Sequence, residues 1–194
     1  MKKIIALLLF TVCFFCACSA PSSIARGSWD GYIYYNSYGD FVICSNELFD
    51  RYSDKKIREN LGYVYSKDGG VLNDVVISSD YCAVVVTLEK PTESYTQKEY
   101  ADAFVLNTQK NNKPGTYSIA ERYNQTIAGK TYTAIPLTYY TSSSAGLVGY
   151  FEYTYIYKTN EGVFVVIRIT ATDPVNIEIA LKMFQEPIED ADKE

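Results

Sequence analysis

Strict alternation of apolar and polar residues is clearest between residues 147 and 172. Alternation with a period of two predicts two long antiparallel strands, each with one apolar face. If residues 160–162 form a three-residue loop, Tyr155 lies opposite Ile167 and the two apolar faces meet. A four-residue loop would slip the pairing by one residue and bring Arg168 onto the apolar side. We therefore favour the three-residue loop and expect this hairpin to be the centre of the fold.

Six further segments have the composition of strands. They are residues 29–36, 40–45, 71–78, 81–88, 117–127 and 130–141. The last two are expected to form a hairpin about Ala128-Gly129. The small residues 142–146 are expected to be a flexible connection into the central hairpin.

Three helices are predicted from capping residues and apolar stripes. Ser53 begins a short helix that packs through Ile57 and Leu61 and ends at Gly62. The second helix begins with a capping box of Thr96 and Glu99 and carries an inward apolar stripe. The third begins at Asp173-Pro174 and carries a stripe of four apolar residues. The inward positions are Tyr100, Ala103 and Phe104 in the second helix, and Ile177, Ala180, Leu181 and Phe184 in the third.

These elements predict an α+β fold, in which an antiparallel twisted β-sheet carries two to three packed helices. The chain of 194 residues is long enough for one domain with a sizeable core. We place that single domain at residues 28–188 and an acidic tail at residues 189–194.

The first 17 residues read as a signal peptide. Lys2 and Lys3 precede an apolar run from Ile4 to Cys18, which is broken only by Thr11. Because a bilayer core needs about 20 apolar residues, this run is too short for a stable transmembrane helix.

Residues 15–19, Phe-Cys-Ala-Cys-Ser, resemble a bacterial lipobox. The resemblance implies that Cys18 becomes the mature N-terminus and carries a diacylglycerol thioether and an acyl chain such as palmitate on its amine. Several acyl chains anchor a protein stably to a membrane. Residues 18–27 would then be a flexible tether to an extracytoplasmic domain. The alternative is an ordinary secretory signal cut near Ser19-Ala20.

The charge balance restricts the partners. The whole chain has 18 Lys and Arg against 23 Asp and Glu, and loss of Lys2 and Lys3 would leave 16 against 23, a net charge of −7. Such an acidic domain is a poor ligand for nucleic acid and is not attracted to anionic lipid. We therefore expect no nucleic-acid partner and expect the membrane to be held through the N-terminal lipid.

Two cysteines, Cys44 and Cys82, remain after the signal peptide and the lipidated residue are set aside. An extracytoplasmic location permits a disulfide between them. The alternative, which we favour, is a pair of buried thiols that pack as small apolar residues.

A resemblance to a known family is carried by Gly27-Ser-Trp29, Tyr34-Tyr-Asn36 and Gly39-Asp-Phe41. These resemble the opening of small Gram-positive lipoproteins with the PsbP-like fold, which photosystem II PsbP and the Ran-binding Mog proteins share. Where those lipoproteins usually have Pro-x-x-Trp, this chain has residues 44–48, Cys-Ser-Asn-Glu-Leu. The resemblance implies a fold and an envelope location but no catalytic residues, because fold alone does not fix function.

Catalytic signatures are missing from the sequence. The chain has no histidine, which excludes Ser-His-Asp and Cys-His catalysis and histidine-based metal sites. It also lacks the GxSxG, P-loop and GxGxxG motifs. We therefore expect no cofactor, no metal and no enzyme activity. The alternative is a cell-wall-directed hydrolase with paired carboxylates. We interpret the pairs Glu47/Asp50 and Glu189/Asp190 as solvated charge, because a sequence cannot show two carboxylates facing each other across a cleft.

Tyrosine is unusually frequent, at 19 residues. Many tyrosines simply suit half-buried strands, but the adjacent pairs Tyr34-Tyr35 and Tyr139-Tyr140 must place one ring on each face of a sheet. If helices cover one face, the other shows aromatic rings that suit contact with an envelope protein or a glycan. The sequence thus predicts a membrane-anchored, extracytoplasmic, non-catalytic binding or accessory module.

Overall fold

The computed structural model describes residues 26–36, 38, 41–53, 55–57, 65–66, 69–143 and 146–187. The described strands are β1 (Ser28–Asp30), β2 (Ile33–Asn36), β3 (Phe41–Cys44), β4 (Asp50–Arg51), β5 (Tyr65–Ser66), β6 (Gly69–Ser78), β7 (Cys82–Pro91), β8 (Tyr117–Ile119), β9 (Tyr123–Ile127), β10 (Lys130–Ser143), β11 (Gly146–Lys158), β12 (Phe164–Ala171) and β13 (Phe184–Gln185). The helices with defined bounds are α1 (Gln97–Asn111) and α2 (Pro174–Leu181), and residues 55–57 are also helical.

The strands form two antiparallel sheets. The large sheet has the order β4-β6-β7-β12-β11-β10-β8, with β5 beside β6 and β9 beside β10. The small sheet has the order β1-β2-β3-β13. The α+β class is therefore confirmed, whereas the expectation of a single sheet is wrong.

The central hairpin has the predicted register. Tyr155 pairs with Ile167, and both side chains are fully buried. Gly162 has a φ of +77°, the left-handed conformation that the three-residue loop requires. The backbone N–H of Thr159 donates to the carbonyl of Val163 at 2.8 Å, which closes the loop.

The two helices lie on opposite faces of the large sheet. Ala101 of α1 packs with Ile156 and Val166 on one face. Ile177 of α2 and the apolar side of the small sheet pack with Ile167 on the other face. The expectation that one face stays open because helices cover only the other is therefore wrong, since the small sheet adds a covering layer.

The predicted first strand, residues 29–36, is divided into two. Gly31 adopts a φ of +53°, so the chain reverses there and β1 pairs with β2. Residues 142–146 were expected to be a flexible connection, but β10 extends through Ser143 and β11 begins at Gly146. The long pairing of β10 with β11 explains why Ser142, Ser143 and Gly146 belong to the sheet.

Details of the helices also differ from the expectation. The Thr96–Glu99 capping box is present, but Ala101 is buried and Ala103 is exposed. Phe184 is buried as predicted, but it lies in β13 because α2 ends at Leu181. Ser53 caps its helical turn by accepting from the backbone N–H of Lys56 at 3.3 Å. The predicted continuation of that helix to residue 62 lies outside the described residues.

The start of the described chain is fixed to the large sheet. The Arg26 guanidinium donates to the Asn73 carbonyl at 3.0 Å, and the Gly27 N–H donates to Asp74 Oδ1 at 3.0 Å. Among the described residues, no helix combines the length and the hydrophobicity needed to cross a membrane.

Candidate functional site

The two adjacent tyrosine pairs have the alternating burial that strand geometry requires. Tyr34 is buried and Tyr35 is exposed, while Tyr139 is half-buried and Tyr140 is exposed. However, the first pair lies on β2 of the small sheet and the second on β10 of the large sheet. The expectation that both pairs contribute to one sheet face is therefore wrong. A binding role for any of these rings stays a prediction.

Tyr139 belongs to a short row of rings. It pairs across the strands with Tyr150, and the two rings stack at a centroid distance of 5.0 Å and an interplanar angle of 15°. Tyr117 continues the row at 6.5 Å. Burial, with a contribution from the nearby Glu152 carboxylate, raises the pKa of Tyr139 to about 12. Only Tyr139 and Tyr150 are stacked, since Tyr117 is tilted by 39° from Tyr139.

The two cysteines of the domain, Cys44 and Cys82, differ in burial. Cys44 is half-buried, Cys82 is buried, and both are free thiols. Burial raises the pKa of Cys82, which disfavours the reactive thiolate. Cys18, the predicted lipid anchor, lies outside the described residues.

Asp74 is a buried carboxylate between the two sheets. It accepts from the Gly27 N–H at 3.0 Å and from Asn36 Nδ2 at 2.6 Å. Burial raises the pKa of Asp74, although these hydrogen bonds and the charge of Arg26 act in the opposite direction. Burial, with Asp74 nearby, also raises the pKa of the Tyr34 hydroxyl. The cluster fastens the small sheet to β6, which is a structural role.

Two more carboxylates, Glu89 and Glu152, are partly enclosed on the α1 face of the large sheet. The Tyr100 hydroxyl donates to Glu89, and the Arg168 guanidinium lowers the pKa of both acids. Burial is the larger influence and raises the pKa of each.

The strand register separates these two acids. Glu89 lies opposite Phe164, and Glu152 lies opposite Thr170. Their attachment points are therefore six residues apart along β12, or roughly 20 Å at the usual rise of a strand. Carboxylate pairs in glycoside hydrolases are about 5–10 Å apart.

The carboxylate pairs named from the sequence lie elsewhere in the chain. Glu47 and Asp50 are both exposed, and Glu189 and Asp190 lie outside the described residues. Among the residues that the structure describes, no group of three or more Cys, Asp or Glu could hold a metal ion.

A groove opens where three elements meet: the loop between β3 and β4, the turn between β6 and β7, and one side of α2. It has a volume of about 750 Å³. Cys82 is the buried residue of its lining, and Phe49 is half-buried. The remaining lining residues are Leu48, Asp50, Ser78, Ser79, Asp80, Tyr81, Asn176 and Ile179.

The walls of the groove carry large apolar side chains that remain in solvent. The exposed fractions are 75% for Leu48, 67% for Tyr81 and 50% for Ile179. Val175 lies one turn before Ile179 on the same side of α2 and is also exposed. Clustered exposed apolar residues commonly mark an interaction site, whereas isolated ones do not. We therefore take this groove as the candidate functional site.

Each wall of the groove is held by the same local contact. The backbone N–H of an exposed apolar residue donates to the side-chain oxygen of the residue two positions earlier. Side chains of this kind stabilise the local backbone of turns and helix starts. The pairs are Leu48 with Asn46 (2.9 Å), Tyr81 with Ser79 (3.2 Å) and Val175 with Asp173 (2.9 Å).

The groove is also acidic. Asp50 and Asp80 line it, and both are exposed. Glu47, adjacent to Leu48, is exposed as well. Within the described part of the chain, no lysine or arginine lines the groove.

Sequence reasoning missed this site, although one signal for it was present. The predicted stripe of α2 accounts for Ile177 and Ala180, but it leaves Val175 and Ile179 at positions i and i+4 on the other side. A second pair of apolar residues at helical spacing predicts a second contact surface. Leu48 and Tyr81 carried no comparable signal, since they lie in turns that only the fold brings together.

Comparisons with known proteins find distant similarity to solved structures. No protein-family model and no curated protein matches the chain. Among solved structures, it is similar to LpqN of Mycobacterium tuberculosis, which is described as involved in cell envelope biogenesis. The sequence identity is 14% and the TM-score is 0.45, over 76% of this chain and 80% of that chain. A similarity of this size leaves the family of the chain open, so the PsbP-like resemblance stays a prediction.

Proposed function

We propose that this protein is a lipid-anchored, extracytoplasmic binding module of the bacterial cell envelope, without catalytic activity of its own. The anchor is Cys18, and the lipobox-like residues 15–19 support it. Tethering to a membrane raises the local concentration of the module near other envelope components. Binding at such a surface can then be effective with a modest intrinsic affinity.

The observation that carries the proposal is the exposed apolar groove. Leu48, Tyr81 and Ile179 come from three separate elements, yet their side chains surround one concave surface. The wide separation of Glu89 and Glu152 gives no support to the alternative of a hydrolase with paired carboxylates.

Photocrosslinking in the intact envelope tests this function. A photoreactive side chain replaces Tyr81 in the lipidated protein, and the control carries it in place of Leu106. Leu106 is 66% exposed on α1, on the opposite face of the large sheet. We expect a discrete adduct at position 81 that disappears in the Ile179→Ser background, and no such adduct at position 106. Equal labelling at both positions would exclude the groove as the binding surface.

A further inference from the structure

We infer that the groove takes a peptide segment of a partner protein that carries apolar side chains flanked by lysine or arginine. This inference rests on the proposed binding function and names the partner's chemistry. It follows from the shape of the groove, the nature of its walls and the sign of its charge.

The walls favour side chains of a protein over a glycan. Leu48 and Ile179 are aliphatic and cannot hydrogen bond, and Tyr81 is the one aromatic ring that lines the groove with a large exposed fraction. A sugar placed there would bury hydroxyl groups against aliphatic carbon, which is costly when those groups lose their hydrogen bonds to water. Apolar side chains have no such cost, and their removal from water favours binding.

The acidic residues at the edge of the groove determine which charge a partner should carry. Asp50 and Asp80 line the groove, and Glu47 directly precedes the wall residue Leu48. The adjacent cation, Arg51, is turned elsewhere: its guanidinium lies 4.8 Å from the Trp29 ring. A segment with carboxylates would be repelled, whereas one with lysine or arginine would be attracted and correctly oriented. The same charge repels anionic lipid headgroups.

The groove needs little ordering before it binds. Asn46 and Ser79 each accept a hydrogen bond from the backbone N–H of a wall residue two positions later, and Asp173 caps the start of α2. Fixing a binding surface in advance reduces the entropy lost on association. The volume of about 750 Å³ lies within the usual range of ligand-binding clefts, and it suits a few side chains rather than a whole folded surface.

Selection from a randomised peptide library tests the inference. The bait is the full-length protein in non-ionic detergent, and the counter-bait is the variant with Leu48→Ser, Tyr81→Ser and Ile179→Ser. We expect the enriched peptides to combine large apolar residues with lysine or arginine. Their binding should weaken as salt is raised, and it should fall on the order of tenfold in the Asp50→Asn, Asp80→Asn variant.

Other outcomes would contradict the inference about the peptide without contradicting the proposed binding function. Enrichment of acidic or uncharged peptides would show that the acidic edge of the groove does not select charge. Failure to enrich any peptide, or binding of soluble cell-wall glycan fragments that the triple variant loses, would show that the occupant is not a peptide. The crosslinking experiment would still succeed in each of these cases if the groove is the binding surface, so the two failures are distinguishable.

Discussion

Asp74 Oδ1 accepts a 3.0 Å hydrogen bond from the backbone N–H of Gly27, a residue 47 positions earlier in the chain. The contact joins the first described residues to the large sheet. It is made possible by an irregularity in β6 between Asn73 and Val75, where Asp74 drops out of the pairing with β7. Such a bulge redirects one side chain out of the regular alternation. The point at which the predicted tether meets the domain is therefore fixed by a buried carboxylate.

The first prediction concerns the pH dependence of this contact. Burial raises the pKa of Asp74 in the folded state above its ordinary value of 3.8. A raised folded pKa means that the folded protein binds the proton more tightly than the unfolded chain. The stability contributed by Asp74 therefore increases as the pH falls from neutral toward 3.8, and it decreases as the pH rises through the folded pKa.

Chemical denaturation of wild type and Asp74→Asn at several pH values measures this effect. The unfolding free energy of wild type should increase relative to that of Asp74→Asn as the pH falls, because only wild type has a titrating carboxyl at position 74. A shift in the opposite direction would mean that the hydrogen bonds from Gly27 and Asn36 outweigh burial and depress the pKa.

The second prediction is that Gly27→Ala destabilises the protein by about 1–3 kcal/mol, as overpacking usually does. A Cβ at this position would clash with the Tyr35 carbonyl oxygen, which belongs to the backbone and cannot simply move aside. Gly149→Ala is the matched control, since its nearest contact would be an ordinary 3.6 Å. Thermal unfolding of both variants checks the prediction. Equal melting temperatures would show that residues 26–27 are not held in this slot.

The third prediction concerns Arg168, whose guanidinium lowers the pKa of Glu152 against the larger effect of burial. Arg168→Met should therefore raise the pKa of Glu152 further. Titration of the side-chain carboxyl by NMR measures the change. The control is Arg122→Met, which removes an exposed pair with Asp102 at 2.6 Å and should leave Glu152 unaffected. A Glu152 pKa that does not respond to Arg168→Met would contradict the proximity of the two groups.

The fourth prediction concerns the anchor. Cys18→Ala should abolish incorporation of a palmitate analogue and leave the signal segment uncleaved by the lipoprotein peptidase. Metabolic labelling followed by electrophoresis measures both effects. Equal labelling of wild type and variant would instead favour the ordinary secretory signal cut near Ser19-Ala20.

Local patterns predicted the hairpin of β11 and β12 well, because alternation and the turn at Gly162 together determine its register. The division into two sheets was not predictable in the same way. Residues 29–36 read as one strand, and only the fold shows that the chain reverses at Gly31. Tertiary packing decides such cases, since strand propensity mainly reflects what a residue packs against.

The groove could not be located from the sequence for a related reason. Leu48 and Tyr81 are turn residues 33 positions apart, and neither turn shows that its apolar residue meets α2. Exposure is a property of the folded molecule rather than of a residue type. Only the second apolar pair on α2, Val175 and Ile179, was visible in advance.

The central claim is that the apolar walls of the groove serve binding rather than folding. The most direct measurement compares the unfolding free energy and the envelope-partner capture of Tyr81→Ser, Ile179→Ser with those of Leu106→Ser. We predict that the unfolding free energies of the double variant and of Leu106→Ser both stay within about 1 kcal/mol of wild type, because all three side chains are exposed. Only the double variant of Tyr81 and Ile179 should lose capture of the partner that crosslinks at position 81. Unfolding of the double variant, or capture equal to that of Leu106→Ser, would contradict the claim.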